Sequence, residues 1–355
     1  MNKSKKIYPI VNLAFKIIIA LLSIGYISYV IFYQKNEYID PQTGEKTLLN
    51  ITYLTDNIVD IVSKQPNSLL IVSLIILLIV VNWGSEIVKW KILVGKIVPV
   101  SYKLATVSIL GGIAASNMTP FRLGGFFARV AQLPFIYRVK SVAIIFLGDS
   151  AQLLSSLFLG SLSTLFLIYY AGQHSPIFEF KTYTLTSLAQ LALVLSTIAC
   201  ILFLFLDKFT DYLRVVPFLK KNQDTWNILS KFNYRKVSIK LLTISTVRLI
   251  AISIQYYLAF NLFGFNLDLF RSILLINTLF LIFNFLPTFN IIDFGITKSA
   301  ILIFLLKTFI SADFVTLNVA LVVSCGSFLI WLVNLAIPSI IGSFFLLRIK
   351  LFNHK

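Results

Sequence analysis

Asn117-Met-Thr-Pro-Phe-Arg-Leu-Gly-Gly-Phe-Phe-Ala-Arg129 is flanked by apolar sequence, yet it holds two arginines, a proline and a glycine pair. Pro120 removes a backbone donor, and Gly124 and Gly125 weaken any helix that runs through them. Interrupted backbone at membrane depth persists only where protein or a wet cavity surrounds it. Arginine at that depth points to function. A second stretch has the same plan: Asn284-Phe-Leu-Pro-Thr-Phe-Asn-Ile-Ile-Asp-Phe-Gly-Ile-Thr-Lys298. Each begins Asn-x-x-Pro, passes through glycine and reaches a basic residue.

The composition around these stretches is that of a membrane protein. Of 355 residues 58% are hydrophobic and 13% charged, and the mean hydropathy is +0.88. A soluble domain does not bury that much apolar surface, so the expected fold is all-α and polytopic, one integral membrane domain over residues 1–355. The 32 phenylalanines suit lipid-facing helices and lipid-handling grooves alike. The net charge of +17 gathers in a few loops, a pattern of membrane topology and anionic headgroups, and no nucleic-acid motif accompanies it. Cys200 and Cys325 lie in apolar runs and read as small core or lipid-facing residues. His174 and His354 have no neighbours at metal-ligand spacing, so no metal or other cofactor is expected.

Charge and hydropathy divide the chain into about six full spans. Lys3, Lys5 and Lys6 precede an apolar run over 10–33, expected to be the first span with a cytoplasmic N-terminus. Residues 34–66 carry an acidic balance suited to an outer loop, with a short amphipathic helix expected around 48–62. A span over 68–83 leads into Asn82-Trp-Gly-Ser-Glu-Ile-Val-Lys-Trp90, where Trp83 and Trp90 fit interfacial anchoring. Glu86 sits one turn from Trp83 and is placed to pair with an arginine. Further spans are expected over 141–170, 184–206, 241–263 and 314–346. The largest inner loop, 207–240, is strongly basic and fits the positive-inside rule on a solvated surface. Arg348, Lys350 and Lys355 put the C-terminus inside as well.

The broken stretches fall in 104–137 and 272–310. Basic residues bound the first on both ends, so it is expected to enter and leave from the cytoplasm as a re-entrant hairpin. The second begins and ends outside. Two such elements in opposite orientation suggest an inverted repeat, the plan of secondary transporters whose interrupted helices meet near the bilayer midplane. Helix ends and arginines there favour a phosphate-bearing anion. Arg122 and Arg129 are assigned to it, with Gly124 and Gly125 giving backbone access. Asn117 and Asn284 would cap groups freed near Pro120 and Pro287; Gly295 and Lys298 complete the second motif. Asp149 lies about 13 Å past Lys140 along a helix, deep for a carboxylate, and with Gln152, Asp293 and Glu86 makes a set of pathway groups. Arg248 and Gln255 share a helix face; Arg248 either snorkels to the interface or lines the cavity.

These residues together resemble the flippase-like membrane proteins related to the transmembrane region of lysylphosphatidylglycerol synthase. The resemblance covers nearly the whole chain. It rests on 82–90, on Asn117-x-x-Pro-x-Arg-x-Gly-Gly-x-x-x-Arg129, on Gly148-Asp-Ser-Ala-Gln152, on Arg248 with Gln255, and on Leu286-Pro287 through Gly295. Gly125 and Lys298 stand where the family commonly has glutamate. The resemblance implies re-entrant helices and lipid translocation in the cytoplasmic, inner membrane of the cell envelope. Residues and resemblance converge on a transporter that moves or binds a polar lipid headgroup, not on an enzyme. The expected partners are membrane lipids, a lipid-biosynthesis enzyme or a second copy of the chain, and no nucleic acid. Two alternatives stay open: an integral-membrane transferase acting on a lipid-linked substrate, and a non-transporting scaffold for envelope biosynthesis.

Overall fold

The computed structural model describes residues 37–39, 46–48, 62–119, 123–172, 179–205, 234–265, 267–285, 295–310 and 317–347. The first expected span, most of the helix expected around 48–62, most of the basic 207–240 loop and both termini lie outside these residues. So do Pro120, Arg122, Pro287 and Asp293.

Among the described residues, ten α-helices follow a short antiparallel ribbon, β1 (Glu37–Ile39) against β2 (Lys46–Leu48), which the outer-loop expectation for 34–66 did not include. The helices are α1 (Ser68–Val94), α2 (Tyr102–Met118), α3 (Leu123–Val130), α4 (Phe135–Gly172), α5 (Glu179–Leu204), α6 (Tyr234–Leu262), α7 (Leu269–Phe285), α8 (Ile296–Phe309), α9 (Leu317–Trp331) and α10 (Ile337–Leu347). A π-helical turn, Leu332–Ala336, joins α9 to α10. Among the described residues, five helical stretches are long and apolar enough to cross a bilayer: Ser68–Val94, Phe135–Tyr170, Thr186–Leu204, Arg235–Leu262 and Val322–Phe345. They correspond to five of the six expected spans, and the chain is a multi-pass helical membrane protein. Aliphatic residues such as Leu69, Val80, Leu188 and Ile340 are exposed on these helices, as lipid-facing side chains are.

Between the spans stand two broken helix pairs. Ser101 caps α2 by accepting from the Leu104 amide at 3.2 Å. At the far end Thr119 turns the chain. Its hydroxyl donates to the Ala115 carbonyl and accepts from the Gly124 amide at 2.8 Å, satisfying a donor at the start of α3. The helix α3 then folds back along α2. A Cβ on Gly124 would stand 2.7 Å from the Ala115 carbonyl, and one on Gly125 would stand 3.1 Å from that of Gly112. The glycine pair therefore serves close helix approach. The second pair, α7 and α8, flanks residues 286–294. Gly295 starts α8 at φ 80°, a conformation that favours glycine, and sits against the Ser327 carbonyl of α9.

Each broken pair packs on a long span from the opposite half of the chain. The helix α2 lies against α10, α7 lies against α4, and the spans α1 and α6 pair with each other. At the first contact Gly342 meets Leu110 and Ala114, and Asn117 donates to the Ser339 hydroxyl. At the second Gly160 meets Asn277 and Leu281, and Asn284 donates to the Ser156 hydroxyl at 2.7 Å. Residues 110, 114 and 117 thus repeat the spacing of 277, 281 and 284. Among the described residues the apolar core has three clusters; one, around Trp90, Ala105, Ile109 and Ile145, binds α1 to α2 and α4. Trp90 is buried within it and is no interfacial anchor, because α2 and α4 cover that side of α1.

Candidate functional site

An interior cavity of about 500 Å³ opens between the spans and both broken pairs. Its walls are largely aromatic and aliphatic, with Trp83, Phe126, Phe280, Phe283 and Trp331 among them, and polar groups converge on it from α1, α4, α6 and the π turn.

Three residues of α1 start a polar network at its wall. Asn82, Glu86 and Lys89 are spaced four and three apart, so they share one helix face, and all three are buried. A bare carboxylate at such a place is costly. Glu86 Oε1 instead lies 2.6 Å from Lys89 Nζ and 2.8 Å from an Arg248 terminal nitrogen. Arg248 Nε donates to Asn82 Oδ1 at 2.7 Å, and its guanidinium lies over the Trp83 ring. Arg248 is thus held inward; it does not snorkel. Gln152 Oε1 of α4 accepts from both Lys89 and Arg248, at 3.3 Å each. On the other side, Asn334 in the π turn accepts from Asn82 at 2.7 Å and donates to Gln255 at 2.9 Å. The network runs unbroken from Lys89 to Gln255 across four elements.

The network contains an internal correspondence. Gln152 bonds Lys89 and Arg248; Asn334 bonds Gln255 and Asn82; the Arg248–Asn82 bond joins the two sets. Lys89 lies seven residues past Asn82, and Gln255 seven past Arg248.

A second ion pair stands at the cavity wall. Arg129 of α3 reaches both oxygens of Asp149, at 3.1 and 3.3 Å, which answers the depth of that carboxylate. Gly112 makes room for the stem: a Cβ there would stand 2.5 Å from Arg129 Cγ. Arg129 Nε and Trp83 Nε1 are buried at the cavity without a hydrogen-bond partner among the described residues. Lys298 Nζ lies 4.6 Å from the Phe283 ring centroid and lines the cavity from α8. Among the described residues no His, Cys, Asp and Glu side chains gather as a metal set.

Of the residues singled out in the sequence, Glu86, Asn117, Gly125, Arg129, Asp149, Gln152, Arg248, Asn284 and Lys298 line this one cavity. Gln255 joins through Asn334. Gly124 and Gly295 are spent on helix packing away from it. Asn82, Lys89 and Asn334 were missed as site residues. The first two were legible as a face with Glu86. Asn334 had a signal too: Pro338, four residues on, has no N–H to give the Asn334 carbonyl, and the helix loosens to a π turn there.

Comparison with protein-family models, curated proteins and solved structures returns no match. Fold and cavity define the class, a multi-pass helical membrane protein with a charged interior cavity.

Proposed function

We propose that this chain is a flippase-like transporter of the cytoplasmic membrane that binds and moves a polar, phosphate-bearing lipid headgroup. The observation that carries this reading is the shared cavity: basic side chains from both broken pairs, Arg129 and Lys298, face one space with aromatic walls. Apolar walls with convergent polar groups are the makeup of a ligand site.

We also propose that the molecule consists of two units in inverted orientation. One is α1, the α2–α3 hairpin and α4; the other is α6, the α7–α8 hairpin and α9–α10. The span α5 between them reverses the direction in which the second unit enters. Matching hairpin–span contacts around Gly342 and Gly160, and the correspondence within the polar network, support this reading. In it each hairpin is re-entrant from its own side, both termini are cytoplasmic, and the cavity sits where the units meet, as in alternating-access transporters. Among the described residues the cavity carboxylates favour transport over the transferase alternative: Glu86 is held by two cations and Asp149 by one, which leaves neither placed as a general base.

Leaflet exchange of headgroup-labelled lipids in proteoliposomes, read by dithionite quenching, tests the proposal. The expected result is lipid-selective exchange that is lost on replacing Arg122 and Arg129 together with alanine. Absence of exchange with every lipid, from folded protein, would overturn it.

A further inference from the structure

Building on the headgroup reading above, we propose that Asp149 is an internal stand-in for the guest: its carboxylate occupies the place on Arg129 that an anionic headgroup takes over on binding. The first ground is a difference between the two arginines that line the cavity among the described residues. Arg248 is fully committed. Its Nε donates to Asn82, a terminal nitrogen reaches Glu86 and Gln152, and its guanidinium lies over the Trp83 ring. Arg129 is held by less. All its hydrogen bonds among the described residues go to Asp149, and one terminal nitrogen serves both carboxylate oxygens, at 3.1 and 3.3 Å. A full fork uses two nitrogens, each toward its own oxygen, and is the stronger arrangement. Arg129 Nε is buried and has no acceptor among the described residues.

The second ground is the matching difference between the two carboxylates. Glu86 is 6% exposed and held by two cations; Asp149 is 36% exposed, lines the cavity and is held by one. A partly exposed carboxylate costs less to release than a buried one. Arg129 is largely buried, and a buried guanidinium stripped of its anion is strongly destabilising. Whatever displaces Asp149 must therefore be an anion itself. A headgroup phosphate meets that condition, and its oxygens suit the fork that Asp149 leaves unused. A neutral headgroup does not, so the exchange selects for charge. The pair also ties the hairpin helix α3 to the span α4, so the exchange releases that tie as the guest binds.

The test is binding to the full chain in detergent, read by calorimetry, with dihexanoyl phosphatidylglycerol and inorganic phosphate as probes. Four proteins are compared: wild type, Asp149→Asn, Arg129→Gln, and the double variant Arg129→Gln/Asp149→Asn. Asp149→Asn removes the competitor and should bind phosphatidylglycerol about tenfold tighter than wild type, roughly the worth of one charge-assisted hydrogen bond. Arg129→Gln should bind several-fold more weakly. The double variant should bind as weakly as Arg129→Gln, because losing Asp149 gains nothing once its partner is gone. Asp149→Asn binding no tighter than wild type overturns the exchange and makes Asp149 a support for Arg129. A gain from Asp149→Asn that persists in the Arg129→Gln background also overturns it, since only general repulsion of the guest is then relieved. If Asp149→Asn misfolds, the infrared difference spectrum of the wild type with and without phosphatidylglycerol decides. A shifted carboxylate band supports the exchange, and an unchanged carboxylate region with lipid bound overturns it. Failure of phosphatidylglycerol to bind any of the four proteins overturns the headgroup reading with it. Inorganic phosphate that binds as tightly, with the same pattern across the variants, supports the exchange and overturns the lipid source.

Discussion

Glu86 ties two helices together through charge. It is buried and touches two cations on different helices, Lys89 beside it on α1 and Arg248 on α6. Removing one partner of a buried ionic cluster strands the others, at a cost of about 3–5 kcal/mol. Glu86→Gln is therefore expected to lower the unfolding temperature sharply, measured by thermal unfolding in detergent. Arg248→Lys tests geometry instead of charge. Arg248 uses Nε toward Asn82 and a terminal nitrogen toward Glu86, a fork that an ammonium does not reproduce. That variant should keep the cation and still lose stability; stability equal to wild type would show that only charge matters here.

At the scale of elements, two glycine contacts hold the architecture. Gly342 lets α10 approach the Leu110 carbonyl of α2, and Gly160 lets α4 approach the Asn277 carbonyl of α7. A methyl group at either place meets backbone, which cannot step aside as a side chain tip can. Gly160→Ala and Gly342→Ala are each expected to cost about 1–3 kcal/mol of stability, the usual range for overpacking. If the two contacts are equivalents in an inverted repeat, the losses should be similar. A large loss at one and none at the other, in the same unfolding assay, would count against equivalence. The broken pairs themselves were visible in the sequence, because proline and glycine act locally. Partner choice was not: nothing near Asn117 announces Ser339, and nothing near Asn284 announces Ser156.

For the whole molecule, the inverted plan makes a topological prediction. Lys103 at the start of α2 and Arg271 near the start of α7 occupy matching, exposed places at the starts of the two broken pairs. With Cys200 and Cys325 first replaced, Lys103→Cys and Arg271→Cys should react with an impermeant maleimide from opposite faces of the membrane. Labelling of both from one face would remove the inverted arrangement.

The sequence by itself determined the class of fold and its punctuation. Hydropathy, the spread of lysine and arginine, and the two Asn-x-x-Pro stretches are local or short-period signals, and a bilayer enforces them strongly. They marked the five spans the structure describes, both broken pairs and most of the polar residues that line the cavity. Only the tertiary structure decided who pairs with whom. Asn82 meets Asn334, Glu86 meets Arg248 and Arg129 meets Asp149 because helices distant in sequence pack side by side, and each buried charge must find its partner there. The same packing made Trp90 a core residue and turned the Gly124–Gly125 pair into a helix contact. Hydropathy counts residues along one helix; burial depends on which helix lies against it.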